Sequence, residues 1–238
     1  MLYYFLPILL ASFVLSACTP KTQQPVDLTI NLYGLEQDTS LTNSKTITVD
    51  SRTQSADITL VSAFNQSNAN VVNNYNYVYA LNSGEGLQNA PLLASNLPIV
   101  GISSKQEVYD FANNKTHAKV YVKEVSGQKV AFLALIDLDR TKHATPSKSD
   151  LDKLGATIDR GSIEGWNKVV LVSQYSPSTT AAVLQQLKGI DLAITLGPQR
   201  KTTQIGKSCL AEFPFGDDVQ LPIKASFSAN GYTTQCHW

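Results

Sequence analysis

Residues 168–196, KVVLVSQYSPSTTAAVLQQLKGIDLAITL, decide the fold class of this chain. Lys168 to Ser173 is a run of β-branched and apolar residues of the length of a buried strand, with no polar alternation to mark a solvent face. Residues 178–187 then place Ala181, Val183, Leu184 and Leu187 at helical spacing, and Gly189 stops the helix. Residues 190–196 (IDLAITL) form a second buried strand. A strand, a helix and a strand within 29 residues make a βαβ unit, which requires a parallel pair and places open loops after Ser173 and after Leu196.

Working outward, residues 149–166 read as a helix feeding the strand at Lys168, with Ser149 as N-cap and Leu151, Leu154 and Ile158 on its apolar stripe. Upstream, residues 118–125 and 129–136 (KVAFLALI) are strands facing each other across Ser126-Gly127, a hairpin signal. Residues 27–32 (DLTINL), 57–61 and 98–102 (PIVGI) also read as strands. Residues 70–74 contain a helical turn leading into an extended run over 75–81. Past Gly197 the pattern turns β-like again, with residues 223–227 the best strand. No internal repeat is visible, and the alternation of short β-like and longer helical runs predicts layered α/β architecture.

The N-terminal end reads differently. Residues 2–17 (LYYFLPILLASFVLSA) carry no charge and are shorter than the ~20 residues that span a bilayer, as in an export signal. Leu15-Ser16-Ala17-Cys18 resembles the lipobox of bacterial lipoproteins, which implies cleavage before Cys18 and lipidation of that cysteine. The expected organisation is a signal peptide over 1–17, a polar, proline-containing tether over 18–26 and a single α/β domain over 27–238. Thr19 in place of aspartate points to the outer membrane within the bacterial envelope. Two or more acyl chains hold such a protein stably at a membrane.

Composition narrows the partners. Only 16% of residues are charged and the formal net charge is zero, so the electrostatic footprint of a nucleic-acid binder is missing. With Cys18 lipidated, Cys209 and Cys236 remain as a pair in an oxidising compartment, which favours a disulfide. The expected partners are the membrane, through the anchor, and a protein or small-molecule ligand of unspecified identity. No cofactor is implied.

In order, these elements resemble the N-terminal domain of the bacterial 5′-nucleotidase branch of the metallophosphoesterases. Residues 74–82 (NYNYVYALN) look like the run into that family's Gly-Asn-His-Asp/Glu motif, and 92–102 (LLASNLPIVGI) like the stretch after it. Residues 122–136 are similar to the family hairpin, and the βαβ unit ending Lys188-Gly189-Ile190-Asp191 is the best match. The resemblance covers roughly residues 27–200. It implies a layered α/β/β/α sandwich, truncated where larger enzymes continue into a substrate-binding domain.

The family's chemistry uses two metal ions held by Asp, His and Asn to generate hydroxide and clamp phosphate. The matching positions lack those donors. Residues 32–38 (LYGLEQD) hold no histidine where Asp-x-His belongs. Asn82-Ser83-Gly84-Glu85 stands for Gly-Asn-His-Glu, Ser173-Gln174 for Ser-His, and Gly197-Pro198-Gln199-Arg200 for Gly-His-x-His. Only His117, His143 and His237 exist in the chain, too few for the family's ligand set. The resemblance therefore implies a degenerate, non-catalytic pocket lined by Asn82, Ser83, Glu85, Gln174, Gln199 and Arg200, with no catalytic residue and no metal. The rivals are a metal-dependent phosphoesterase with a rearranged site and an envelope assembly factor.

Other clusters are weaker. Asp137 and Asp139 end a strand, where acidic residues are usually solvated turn residues, and Asp217-Asp218 reads as a turn. Arg140-Thr141-Lys142-His143 reads as a solvated loop, and Gly84-Glu85-Gly86 lacks dinucleotide-loop spacing. There is no Gly-x-Ser-x-Gly elbow. Tyr75, Tyr77 and Tyr79 share one strand face and read as packing residues.

Overall fold

A computed structural model describes residues 26–34, 58–62, 79–82, 92–96, 107–110, 119–137, 145–214, 223–227 and 233–237. Within them the chain runs β1 (Val26–Gly34), β2 (Ile58–Ser62), β3 (Tyr79–Asn82), β4 (Leu92–Ser95), β5 (Val108–Asp110), β6 (Tyr121–Val125), β7 (Gln128–Leu135), α1 (Lys148–Ile163), β8 (Lys168–Ser173), α2 (Pro177–Gln186), β9 (Leu192–Gly197), β10 (Lys201–Ile205), β11 (Ser208–Pro214), β12 (Ile223–Phe227) and β13 (Thr233–His237). The lipobox, the expected strand at 98–102 and the helical turn at 70–74 lie outside the described residues.

Two sheets stack. One orders its strands β13-β12-β1-β2-β3-β4-β5, the other β10-β11-β9-β8-β7-β6. The second has a parallel centre, since β7, β8, β9 and β11 are paired parallel in turn. Its strands are apolar on both faces: all six residues of β8 are buried, as are the last six of β7. That is the pattern of a sheet covered on both sides. One face takes the helices, where Leu133, Leu135 and Leu171 meet Leu154 and Ile158 of α1 and Val183 and Leu184 of α2. By the two-residue period, Phe132, Val170 and Val172 face the other sheet, whose buried residues are Leu28, Leu93, Ile223, Ala225 and Phe227. The chain is thus an α/β sandwich with helices packed on a two-sheet core.

Local chemistry sets the helix ends. Helix α1 begins one residue before the expected N-cap Ser149, because Ser147 is the cap, its Oγ accepting from Asp150 N at 3.1 Å. At the other end Gly165, at φ 81°, lets Trp166 N reach back to Gly161 O at 2.9 Å, closing a Schellman turn. Trp166 then lies over Gly161 so closely that a Cβ there would fall on the indole ring. Ser176 caps α2 by accepting from Thr179 N, and Pro177 fills the first turn, where a missing N–H costs nothing. The expected hairpin at Ser126-Gly127 forms with both residues at positive φ, 48° and 75°.

Several links among the described residues join the sheets. The Asn96 side chain, just past β4, donates to Ile136 O at 3.1 Å and accepts from Ile136 N at 2.7 Å beyond β7. Lys168 of β8 sets its Nζ 4.9 Å from the centroid of the Phe227 ring on β12. The expected disulfide, Cys209–Cys236, ties β11 to β13.

Candidate functional site

In an open parallel sheet the strands' carboxyl ends carry the loops that bind, because each strand-to-helix turn opens there. Here those ends are Ile136-Asp137 after β7, the turn from Gln174 to Ser176 after β8, and Gly197 to Arg200 after β9. Asn96, beside Ile136, shows that β4 of the other sheet points its carboxyl end the same way.

Each position is held from below. Gln174 N donates to Leu135 O at 2.9 Å, extending the β7–β8 ladder past the strand end. The Gln174 side chain then turns across, and its Oε1 accepts from Asp137 N at 3.3 Å. Beneath it is a layer of buried hydroxyls. Ser173 Oγ accepts from Thr180 Oγ1 at 2.8 Å and from Tyr175 N at 3.2 Å. Thr195 Oγ1 donates to Tyr175 O, and Thr180 Oγ1, whose proton goes to Ser173, lies 3.3 Å from the same oxygen. This network satisfies the polar groups of a chain reversal that sits inside the core.

Gly197 brings the third loop against the second. A Cβ at that position would stand 3.0 Å from Pro177 Cγ and 2.9 Å from Glu212 Oε2, so a side chain there would push the Glu212 carboxylate aside and press on the Pro177 ring. Glu212 of β11 is therefore part of the site's wall. Beyond Gly197, Pro198 and Gln199 are exposed and Arg200 is half-buried.

Of the residues expected to line a pocket, Gln174, Gln199 and Arg200 lie on these loops at the carboxyl end. Asn82 is not brought to them. Antiparallel β3 starts with Tyr79 opposite Ser62, at the carboxyl end of β2, and runs to Asn82 opposite Thr59. Three residues of strand carry Asn82 about 10 Å toward the other end of the sheet. Ser83 and Glu85 lie outside the described residues, as do Cys18, Asp139, His143, Tyr75, Tyr77 and Asp217-Asp218.

Asp137 is not the solvated turn residue expected: it is 5% exposed, because Asn96 and Gln174 close over the end of β7. Asn96, Thr180, Thr195 and Glu212 are the residues that sequence reasoning missed. Only Asn96 left a signal, a lone amide inside the mostly apolar run LLASNLPIV.

The donor set among the described residues does not fit the dinuclear metal centre of the resembled family. Among the described residues, no three His, Cys, Asp or Glu side chains come together. Gln174 is a neutral amide already bonded to backbone, and both lone pairs of Ser173 Oγ are taken by Thr180 and Tyr175. Of the three histidines, only His237 is described, and it sits on the edge strand β13 opposite Lys224, away from these loops. It lines a small cavity with Cys209 and Cys236, and Cys209 is paired with Leu192, the first residue of β9.

At that amino end lies a charged pair. Lys168, 4% exposed, places Nζ 3.2 Å from Asp191 Oδ1, and Val169 N donates to Asp191 Oδ2 at 2.8 Å. Burial raises the Asp191 carboxyl above its usual range, against the opposing pull of Lys168 and the Val169 amide.

No family model matches the chain, and no curated protein matches it in sequence. Among solved structures it is similar to the sulfate thiohydrolase SoxB of Thermus thermophilus, with TM-score 0.41, 16% identity, 56% of this chain and 25% of that one covered. It is similar to a 5′-nucleotidase precursor, also from Thermus thermophilus, with TM-score 0.42, 14% identity, and 56% and 33% covered. It is also similar to the NAD nucleotidase of Haemophilus influenzae with TM-score 0.39, 16% identity, and 49% and 26% covered. The chain thus spans a third or less of the length of these 5′-nucleotidase-type structures.

Proposed function

We propose that the chain is a lipid-anchored envelope protein whose 5′-nucleotidase-like domain has no dinuclear metal centre and acts as a binding or accessory module. The observation that carries this reading is the character of the carboxyl-end loops. Among the described residues they offer amides, hydroxyls, the Arg200 guanidinium and carboxylates engaged or walled in by neighbours, where phosphoester hydrolysis needs imidazoles grouped around two metals. Amide and guanidinium groups around a glycine-flanked turn suit hydrogen bonding to a neutral or anionic ligand without activating water.

Elemental analysis of the protein purified without chelator, together with phosphate release from nucleoside monophosphates and p-nitrophenyl phosphate, tests the reading. The expected result is sub-stoichiometric zinc and manganese and no metal-stimulated turnover. Two equivalents of metal with metal-dependent hydrolysis would overturn it in favour of the rearranged phosphoesterase. The anchor is tested separately by mass spectrometry of the N-terminal peptide from detergent-extracted protein. That peptide should begin at Cys18 and carry diacylglycerol.

A further inference from the structure

A groove of about 630 Å³ opens at the amino ends of the parallel strands, opposite the loops just described. It runs between the end of α2 and the β10–β11 hairpin. Leu184 and Ile190 form its buried floor, and Leu187 and Ile205 its half-buried walls. Ser208 Oγ, bonded to Ile190 O at 2.6 Å, fixes one wall to the floor. Lys188 and Lys207, both exposed, stand on opposite sides of the opening, one on the α2–β9 loop and one on the hairpin. The acidic side chain in the lining, Asp191, is bonded to Lys168. The volume is that of a small-molecule site, and the lining is apolar with a cationic mouth.

The first described strand, β1, begins at this same end. Val26, the first residue of β1, pairs with Phe227, whose ring covers Lys168 Nζ, and Lys168 is bonded to Asp191 in the groove lining. A tether over 18–26 reaches at most about 30 Å even when extended. An anchor on Cys18 would therefore keep the groove's end of the molecule near the bilayer, close enough for its lysines to come down onto an anionic lipid surface.

We infer that the groove binds one anionic phospholipid of the anchoring membrane, with an acyl segment against Leu184, Leu187, Ile190 and Ile205 and the headgroup phosphate between Lys188 and Lys207. For its orientation the inference rests on the lipid-anchor reading, but the groove itself does not. Bound lipid would fix the rotation of the body on its tether and present the Gln174 and Gly197 loops away from the membrane.

The test uses the mature chain from residue 18 with Cys18→Ser, which keeps every described element and removes the anchor. Its flotation is measured with vesicles of phosphatidylcholine alone and with phosphatidylglycerol in equal parts. The phosphatidylglycerol vesicles should carry the protein and the phosphatidylcholine vesicles should not. Lys188→Gln and Lys207→Gln should weaken binding about fivefold each and about 25-fold together. Ile205→Asp, with circular dichroism unchanged, should abolish binding of monomeric lysophosphatidylglycerol. Equal binding to both vesicles, or no effect of the lysine pair, would overturn the proposal. So would lysophosphatidylglycerol binding that inorganic phosphate abolishes and Ile205→Asp does not, which marks a free-phosphate site. Vesicle binding by a protein whose Cys18 proves unmodified in cells would remove the anchor reading alone. A lipidated Cys18 without vesicle binding by the variant would remove the groove alone.

Discussion

Reducing the Cys209–Cys236 bond should cost this domain about 3.5 kcal/mol. The bond joins residues 27 apart, and loop-closure entropy at that separation gives a constraint of about 12 cal/mol/K on the unfolded chain, or about 3.5 kcal/mol at room temperature. Its placement makes the full value reachable. Cys209 is 2% exposed on β11 of one sheet and Cys236 lies on β13 at the far edge of the other. The cross-link therefore closes a segment containing β12 and β13, whose backbone ladder joins the rest of its sheet through β1. For a domain of this size each kcal/mol shifts Tm by about 2–4 °C, so the reduced protein should melt about 7–14 °C lower.

The assay compares oxidised protein with protein in a phosphine reductant, in a Cys18→Ser background, by urea titration and by thermal melting. Because no side chain is replaced, no cavity term enters. The urea slope should also rise on reduction, since the released chain exposes more surface when unfolded. A stability change below about 1 kcal/mol, or two alkylatable thiols in the oxidised native protein, would refute the reasoning.

Four further outcomes are expected. Asn96→Ala should cost about 2–4 kcal/mol in urea denaturation, because it strands both backbone groups of Ile136 between the sheets. Gly161→Ala should displace the Trp166 ring, red-shifting tryptophan emission and lowering stability by about 1–3 kcal/mol. Thr180→Val should cost about 1–2 kcal/mol by removing a donor to Ser173 Oγ in the buried hydroxyl layer. In carbon-detected NMR titration, Asp191 should ionise above the ordinary aspartate range, and Lys168→Met should raise it further by removing a neighbouring cation. Between the unfolded and folded midpoints the native state then holds the extra proton. The Asp191 contribution to stability is therefore complete at low pH and is lost as pH rises through the folded value.

What is legible in the sequence follows from how locally each feature is specified. The run KVVLVS and the hairpin turn Ser126-Gly127 state their own conformation, and β8 and the β6–β7 hairpin form where expected. The strand at Ile223–Phe227 and the Cys209–Cys236 bond are legible from composition and elimination. The cap of α1 falls two residues from its expected place because Ser147 and Ser149 are chemically equal candidates, and only the Asp150 amide distinguishes them. Asn96 and Glu212 cannot be ranked from the chain alone, since their roles depend on contacts 40 residues away in one case and on a glycine in a neighbouring strand in the other. Motif order groups Asn82 with Gln174, but it does not record that β3 runs antiparallel and carries Asn82 the other way.

The two ends of the sheet differ in a way that bears on what the scaffold can do. At the carboxyl end, hydrogen bonds that would otherwise go to a ligand or metal are made internally: Gln174 to Asp137, Ser173 to Thr180 and Tyr175, Asn96 to Ile136. Such bonds rigidify the loops and lower the free energy of the unliganded state, so any ligand there competes with contacts already made. Catalysis needs the opposite, polar groups held ready and unsatisfied until the transition state arrives. At the amino end the balance is reversed. An ion pair is held inside the sheet edge and an apolar groove stays open beside it, and the groove's apolar lining is stabilised when a ligand excludes water. Among the described residues, the polar groups of one end are bonded internally and apolar surface stays open at the other, which is also the end at which β1 begins.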